Sequence, residues 1–322
     1  VGSEMCIRDR NGGKELEKYV GVDVGGTNLK FGIFLSDGQL IKKWSIVTDY
    51  SDHGIHMWKQ ICEEINKNIE KKDLRGIGIG IPGPVLENGF VEVCVNLDLH
   101  NFNPASVLKE YFPDVEIAVV NDANAAALGE QWKGSGQGYR SIGMVTLGTG
   151  VGGAIIIDGK LCCGANGLSG EIGHIRVNSD EKEECTCGGV GCVDQIASAT
   201  GIVRYAKKLL MENDAESSLR MKEEFTAEDV INAAKAGDNV AEHIINHCMK
   251  YLAKALAAAA YIADPEVFII GGGVSNAGQY LIDIIQESFN TYITLSKKKA
   301  LIIKASLGND AGIYGAAKTV IG

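Results

Sequence analysis

Two stretches of the chain share one pattern, VDVGGTNLKFGIFLSDGQL at residues 22–40 and TLGTGVGGAIIIDGKL at residues 146–161. Each stretch contains an apolar strand, a glycine-rich turn, a second apolar strand, an Asp-Gly turn and a leucine. In both, the glycine turn leads into a strand and not into a helix, which excludes a Walker A loop and a Rossmann fingerprint. The repetition predicts two related halves, each beginning with a glycine hairpin that can bind phosphate.

The rest of the chain mixes strand and helix patterns. Further strands are predicted at 40–47, 76–81, 115–120, 267–270 and 301–305. Helical spacing of apolar residues predicts helices at 56–71, 196–210, 226–236, 240–263, 280–291 and 312–320, with one more opening at 121. This mixture predicts the α/β class. Residues 1–17 show no sustained apolar period and are expected to be a disordered or foreign tail.

The amino-acid composition of the chain restricts the classes of partner that it can bind. The chain has 322 residues, and 31 Lys and Arg against 41 Asp and Glu give a net charge of −10. An acidic chain is a poor candidate for binding nucleic acid or an anionic membrane surface. The apolar run at 252–263 is interrupted by Lys254 and is too short to span a bilayer. Nine cysteines, an odd number, with no secretory signal make a disulfide framework unlikely and favour a reducing cytoplasm.

Three cysteines lie close together in ECTCGGVGCVDQ at residues 184–195, and a histidine lies eleven positions upstream of the first. One imidazole and three thiolates form a closed four-ligand set typical of structural zinc. The candidate ligands are His174, Cys185, Cys187 and Cys192. Disulfides and buried free thiols are the alternatives, but buried thiols would not need the flanking Gly188, Gly189 and Gly191, which permit a tight ligand loop.

The pair Asn121-Asp122 comes at a strand-to-helix junction. A carboxylate at a helix N-terminus is stabilised by the helix dipole and is expected to stay ionised at neutral pH. It could accept a proton from a substrate hydroxyl. The alternative is that Asn121 simply caps the helix and Asp122 is a first-turn acid.

The glycine loops are the remaining candidates. In the first loop Thr27 adds a hydroxyl, and Asp23 could hold magnesium through water. A third glycine run, residues 271–273, follows an apolar strand and could let a flat ring or a ribose lie against the backbone. For each loop taken singly, a plain turn is the alternative reading.

Together these motifs resemble the ROK family of sugar kinases and repressors, and most closely its bacterial glucokinases. The resemblance rests on DVGGTN, PGPV, VNDANAAALGE, LGTGVGGA, GEIGH, CTCGGVGC and IIGGGVS, and it covers the chain from Tyr19 to the C-terminus. It implies an actin-like (ribonuclease H-like, hexokinase-type) ATPase fold with two α/β domains flanking a cleft. The smaller domain would contain residues 18–120 and 309–322, and the larger one residues 121–308 with the zinc-binding loop.

The resemblance also implies roles for individual residues. Asp122 is expected to be the catalytic base. The expected sugar contacts are Gly83, Asn96, Asn121, Asp122, Glu171, His174 and Asp194. The expected nucleotide contacts are Asp23, Gly25, Gly26, Thr27, Asn28, Gly148, Thr149, Gly150 and Gly272. The cluster of His174, Cys185, Cys187 and Cys192 matches the family's zinc ligands, and His174 would bind zinc with one ring nitrogen and a sugar hydroxyl with the other.

The implied reaction is ATP-dependent phosphorylation of a hexose at its 6-hydroxyl, with Mg²⁺ as cofactor and glucose as the expected hexose. Asp194 stands where the family usually has a sugar-reading glutamate, so N-acetylmannosamine, fructose and allose stay as alternatives. A sugar-responsive repressor is the rival of another class. Such a repressor carries an N-terminal helix-turn-helix, whereas 18 residues with no two-helix pattern precede the first predicted strand. Family members are commonly dimers or tetramers, so a homo-oligomer is expected.

Overall fold

The computed structural model of the protein describes residues 17–49, 54–86, 88–94, 97 and 99–321. Within them the strands are β1 (Lys18–Val24), β2 (Asn28–Leu35), β3 (Leu40–Val47), β4 (Leu74–Ile81), β5 (Val91–Cys94), β6 (Leu99–Phe102), β7 (Glu116–Asn121), β8 (Ile142–Leu147), β9 (Val151–Ile157), β10 (Lys160–Leu161), β11 (Val267–Gly271) and β12 (Leu301–Lys304). The α-helices are α1 (Ile55–Asn68), α2 (Pro104–Tyr111), α3 (Asp122–Lys133), α4 (Asp194–Ala197), α5 (Ala199–Glu212), α6 (Ala227–Lys235), α7 (Asn239–Ala263), α8 (Gln279–Tyr292) and α9 (Ala311–Ile321).

Two five-stranded sheets repeat one topology. The first has the order β3-β2-β1-β4-β7, and the second has the order β10-β9-β8-β11-β12. In each sheet the first three strands are antiparallel and the next two join in parallel. The hairpins β1–β2 and β8–β9 therefore occupy equivalent positions. The prediction of two related halves in an actin-like α/β fold is confirmed.

Burial along the strands explains this order. Strand β11 is buried at every position, as a parallel strand covered on both faces must be. Strand β3, at the edge of the first sheet, exposes most of its side chains and carries Lys42 and Lys43. The first sheet packs on α1 and α2 in one core, and the second packs on α5 to α8 in a larger core.

Helices α3 and α9 connect the two sheets. Helix α3 follows β7 of the first sheet and packs on β8 and β9 of the second, whereas α9 follows β12 of the second sheet and packs on β1 and β4 of the first. The two helices also pack on each other at glycines. A Cβ on Gly315 would lie 1.6 Å from the Ala125 carbonyl oxygen, so only glycine permits this approach. The division into domains at 120/121 and 308/309 stays a prediction.

The predicted helix at 196–210 is wrong as a single element. The chain instead forms α4 and α5, separated at Ser198, whose ψ of 165° is extended. Ser198 caps α5 by accepting from Gly201 N, and the break frees Ala199 N to donate to Gly148 O at 2.8 Å. Strands β5 and β6 and helix α2 were not predicted, although Asn103-Pro104 is a helix-start signal.

Across the described residues, every helix lacks either the length or the apolar character required to cross a bilayer.

Candidate active site

The junction between β7 and α3 orients Asp122. Asn121 is the N-cap of α3, and its Oδ1 accepts from Asn124 N at 3.0 Å. The capping interpretation of Asn121 is therefore correct. The same side chain also donates through Nδ2 to Gly83 O at 3.0 Å and to Asp122 Oδ1 at 3.1 Å. It thus holds the Pro-Gly-Pro turn and the carboxylate together.

Burial and two other acidic groups control the ionisation of the Asp122 carboxylate. Burial among the surrounding protein atoms raises its pKa to about 6, and the negative charges of Asp23 and Glu171 add to the rise. The Ala123 N–H, which donates to Oδ1 at 2.8 Å, acts in the opposite direction and lowers the pKa. Desolvation outweighs the effect of the helix N-terminus, but a pKa of about 6 still leaves the Asp122 carboxylate mostly ionised at neutral pH. Solvent still reaches the side chain from the open side of the site.

A cavity of about 770 Å³ lies in front of Asp122. It is bounded by the Pro82–Pro84 turn and the start of α3 on one side, and by the second glycine loop on the other. It brings together most of the predicted sugar contacts and part of the predicted nucleotide contacts. These residues are Gly83, Asn121, Asp122, Glu171, His174, Asp194, Gly148, Thr149, Gly150 and Gly272.

Other predicted residues are not in this lining. Asn96 lies outside the described residues. The first glycine loop, with Gly25, Gly26, Thr27 and Asn28, does not line the cavity in this conformation. Asp23 is also outside it, although it acts on the Asp122 pKa, and its Oδ2 pairs with Lys30 Nζ at 3.1 Å.

Thr48 braces the first glycine loop and was missed by the sequence reasoning. Its N–H donates to Thr27 O at 3.0 Å, and its hydroxyl donates to Gly25 O at 2.9 Å. It follows the end of β3, where no sequence signal distinguishes it from other strand-end threonines.

A second cavity, of about 450 Å³, shares Gly148 and Thr149 with the first. The rest of its wall comes from Ala199 at the start of α5, from the N-cap and inner face of α6, and from the turn after β11, which includes Gly273. A Cβ added to Gly273 would meet nothing within 4 Å, so this glycine opens space beside the backbone. The glycine run was predicted to admit a flat ring. The contribution of Ile231, Asn232 and Lys235 on α6 was not predicted, because an amphipathic helix pattern carries no sign of a ligand.

The predicted zinc ligands converge. The ligand atoms of His174, Cys185, Cys187 and Cys192 all lie within 4.8 Å of one another. The Cys187 and Cys192 sulfurs are 3.7 Å apart, and Cys185 Sγ is 3.7 Å from His174 Nδ1. In a tetrahedral site with Zn–S bonds of about 2.3 Å, sulfur atoms are separated by about 3.8 Å. The geometry and the donor set therefore fit zinc.

The loop geometry depends on its glycines. Gly191 has a φ of 82°, and a Cβ there would lie 1.9 Å from Asn178 O. The loop also borders the larger cavity, because His174, Thr186 and Cys187 contribute to its lining. His174 Nε2 points away from the cysteines and lies 4.0 Å from Glu171 Oε2. One imidazole therefore connects the cysteine cluster with the cavity wall.

Comparison with known proteins places this geometry in a family. The ROK family model matches residues 19–322. A glucokinase from Halalkalibacterium halodurans is 40% identical, with 92% of this chain and 93% of that protein covered. A glucokinase from Thermotoga maritima is 35% identical over 94% of this chain and 97% of its own. The crystal structure of a ROK family glucokinase from Streptomyces griseus in complex with glucose and AMPPNP has a TM-score of 0.78 and 32% identity, covering 94% of this chain and 99% of that one. With this match from β1 to the C-terminus, the chain belongs to the ROK family.

Proposed function

We propose that the protein is an ATP-dependent hexokinase that transfers the γ-phosphoryl group to the 6-hydroxyl of glucose. The observation that carries this proposal is the position of Asp122, with other polar side chains, in a cavity that meets a second cavity at one glycine loop. A phosphoryl acceptor and a nucleotide must meet in such an arrangement. The relatives named glucokinase, at 40% and 35% identity, support the choice of substrate.

The larger cavity is the proposed sugar site. Glu171 and His174 present a carboxylate and a ring nitrogen that can bind sugar hydroxyls from one side. Asn121 and the Gly83 carbonyl approach from the other side and are already hydrogen-bonded to each other. Several fixed polar groups around one ring are what orientation of a sugar requires.

The nucleotide is proposed to extend from the glycine loop into the second cavity. Gly148, Thr149 and Gly150 would contact the phosphates, and Gly272 and Gly273 would lie beside the ribose and base. Magnesium would arrive with ATP, be bound near Asp23, and offset phosphate charge. Lys30 now pairs with Asp23, so metal binding would have to share or displace that ammonium group.

In the chemical step the protein contributes mainly by positioning the reactants and stabilising charge, and little by covalent chemistry. The sugar O6 attacks the γ-phosphorus, its proton passes to Asp122, and the bond to the β–γ bridging oxygen breaks to release ADP. The hydrogen bonds from Asn121 Nδ2 and Ala123 N both go to Oδ1, so we assign the proton to Oδ2. A pKa of about 6 suits this role, because a general base works best with a pKa close to the operating pH.

Closure of the site is part of the proposal. The first glycine loop lies outside the cavity lining in this conformation, yet it belongs to the hairpin equivalent to that of the second loop. A movement of residues 18–120 and 309–322 against residues 121–308 would bring both loops to the phosphates. Zinc, held by His174, Cys185, Cys187 and Cys192, would keep the loop beside the sugar rigid and supply no open coordination position.

A panel of hexoses with ATP tests the proposal. Glucose should give the highest kcat/KM, with N-acetylmannosamine, fructose and allose clearly lower. A different sugar at the top of the panel would change the substrate and keep the reaction class. No ADP release with any hexose, from folded zinc-loaded protein, would contradict the proposal itself.

A further inference from the structure

The Asp194 side chain contacts the second glycine loop. Its Oδ1 accepts a hydrogen bond from Val151 N at 2.6 Å. A Cβ added to Gly150 would lie 2.8 Å from the same oxygen, so the carboxylate is packed against that loop. The residue begins α4, two positions after Cys192. The atom expected to contact a sugar is therefore engaged with the backbone of the loop.

Two further hydrogen bonds join the same segment to the loop. Ala199 N donates to Gly148 O at 2.8 Å, and Thr200 Oγ1 donates to Thr149 O at 3.0 Å. Residues 194–200 thus form hydrogen bonds to three residues of the loop, at positions 148, 149 and 151. The break at Ser198 makes this possible, because a continuous helix would use the Ala199 N–H internally.

The other end of the segment is attached to the cysteine cluster. Gln195 Oε1 accepts from Gly191 N at 2.9 Å and from Cys192 N at 3.1 Å. Its Nε2 donates to Glu183 O at 3.0 Å on the far side of the cysteine loop. Neighbouring side chains of one short helix therefore hold the cysteine loop and the glycine loop at once.

We infer that Asp194 is a positioning residue for the phosphate-binding loop and not a sugar-reading residue. This inference rests on the proposed function of that loop. Aspartate is short enough to bond Val151 N from the start of α4, whereas glutamate would carry an extra methylene into the space beside Gly150. Fixing the loop would hold its backbone in one conformation before the nucleotide arrives, which lowers the ordering cost of binding.

The test compares Asp194→Ala, Asp194→Asn and Asp194→Glu by calorimetric titration with AMPPNP and, separately, with glucose. Asp194→Ala should weaken AMPPNP binding about ten- to hundredfold, the loss expected for a hydrogen bond to a charged group. Glucose binding should change less than about threefold, well within an order of magnitude. Asp194→Asn keeps an oxygen acceptor and should recover part of the AMPPNP affinity.

Thr200→Val should also weaken AMPPNP binding, because it removes the hydrogen bond to Thr149 O. Asp214 is exposed, so Asp214→Ala serves as the control for the loss of one negative charge.

Amide hydrogen exchange at residues 148–151 gives a readout that does not depend on catalysis. Exchange should accelerate in Asp194→Ala and stay near wild type in Asp194→Asn. Weakened glucose binding with unchanged AMPPNP binding would overturn the inference, as would unchanged exchange in Asp194→Ala. If the alanine variant fails to fold, the asparagine variant and Thr200→Val test the inference by the same ligand titrations and exchange measurements. Wild-type protein that binds AMPPNP but phosphorylates no hexose would count against the proposed function and leave this test in force.

Discussion

The sulfur atoms of Cys187 and Cys192 lie 3.7 Å apart, close to the edge of a zinc tetrahedron, although the two residues are five positions apart in sequence. Purified protein should therefore contain about one zinc ion per chain, as a closed Cys₃His site requires. Cys187→Ala should lower both the zinc content and the Tm, because the remaining ligands no longer close the site. Metal analysis and thermal melting measure the two effects.

Cys162→Ala is the matched control, since Cys162 lies outside the ligand cluster. Its zinc content should equal that of the wild type. Wild-type protein that is folded and reduced but free of zinc would contradict the structural-zinc proposal.

The close contact between α3 and α9 predicts that replacing a glycine by alanine lowers stability here, although the same change usually stabilises a helix. In an exposed helix, replacing glycine by alanine stabilises by roughly 1 kcal/mol. In Gly315→Ala the new Cβ would lie 1.6 Å from the Ala125 carbonyl oxygen, so the helices must separate. We expect a net loss of about 1–3 kcal/mol in the free energy of unfolding, as for other overpacked sites.

Denaturant unfolding measures this loss. Lys318→Ala, on the same helix, is the comparison. The residue is half-buried and its ammonium group lies 5.5 Å from the centre of the Trp132 ring, and its loss should change stability by less than about 1 kcal/mol. Equal or higher stability of Gly315→Ala would show that the helices are not in contact at this position.

The sequence predicted the parts of the fold that repeat, and missed those that depend on distant contacts. The two hairpins, the apolar strands and the long helix α7 follow from period and turn residues. The break at Ser198 could not be predicted, because what competes for the Ala199 N–H is the Gly148 carbonyl, far away in sequence. The candidate metal ligands were recognisable because the chemistry of one imidazole and three thiols is visible in four residues.

The raised pKa of Asp122 could not be predicted from the sequence for a similar reason. The helix N-terminus beside Asp122 was visible, but the burial and the nearby Asp23 and Glu171 carboxylates arise only on folding. The role of Asp194 was likewise assigned from its place in a motif, whereas its hydrogen bond goes to Val151.

The second cavity predicts a graded effect on nucleotide binding. Gly273 has open space where a Cβ would be, so Gly273→Ala and Gly273→Val should fold but fill the cavity stepwise. The KM for ATP should rise modestly with alanine and by at least about tenfold with valine, since a clash in the pocket costs more than about 1.4 kcal/mol. Steady-state kinetics with varied ATP and varied glucose measure both constants.

The glucose KM is the internal control in that experiment and should stay near the wild-type value. A rise in the glucose KM with an unchanged ATP KM would move the nucleoside out of this cavity.

The raised pKa of Asp122 predicts the pH dependence of the reaction. The ionised carboxylate is the proton acceptor, so activity is present above the pKa and is lost as the pH falls through it. The acidic limb of kcat/KM should have its midpoint near pH 6, in agreement with a pKa of about 6. Asp23→Asn should move the midpoint downward, because it removes one of the charges that raise the pKa.

A rate profile recorded from about pH 3.5 to about pH 8.5, roughly two and a half units on either side of the expected midpoint, tests this expectation. A midpoint near the ordinary aspartate value, about pH 4, would mean that burial does not control this carboxylate in solution.

The proposed mechanism depends most on Asp122 as the base, and Asp122→Asn tests this role most directly. The amide keeps the shape and an oxygen that can accept from Ala123 N, but it cannot take the proton of the 6-hydroxyl. The measurement is kcat for glucose phosphorylation, with AMPPNP binding, glucose binding and Tm recorded on the same preparation. We expect kcat to fall by about 10²–10⁴-fold, the usual contribution of a general base, while both ligands still bind and the Tm is retained. Turnover near the wild-type rate in the folded Asp122→Asn protein would contradict the assignment of the base.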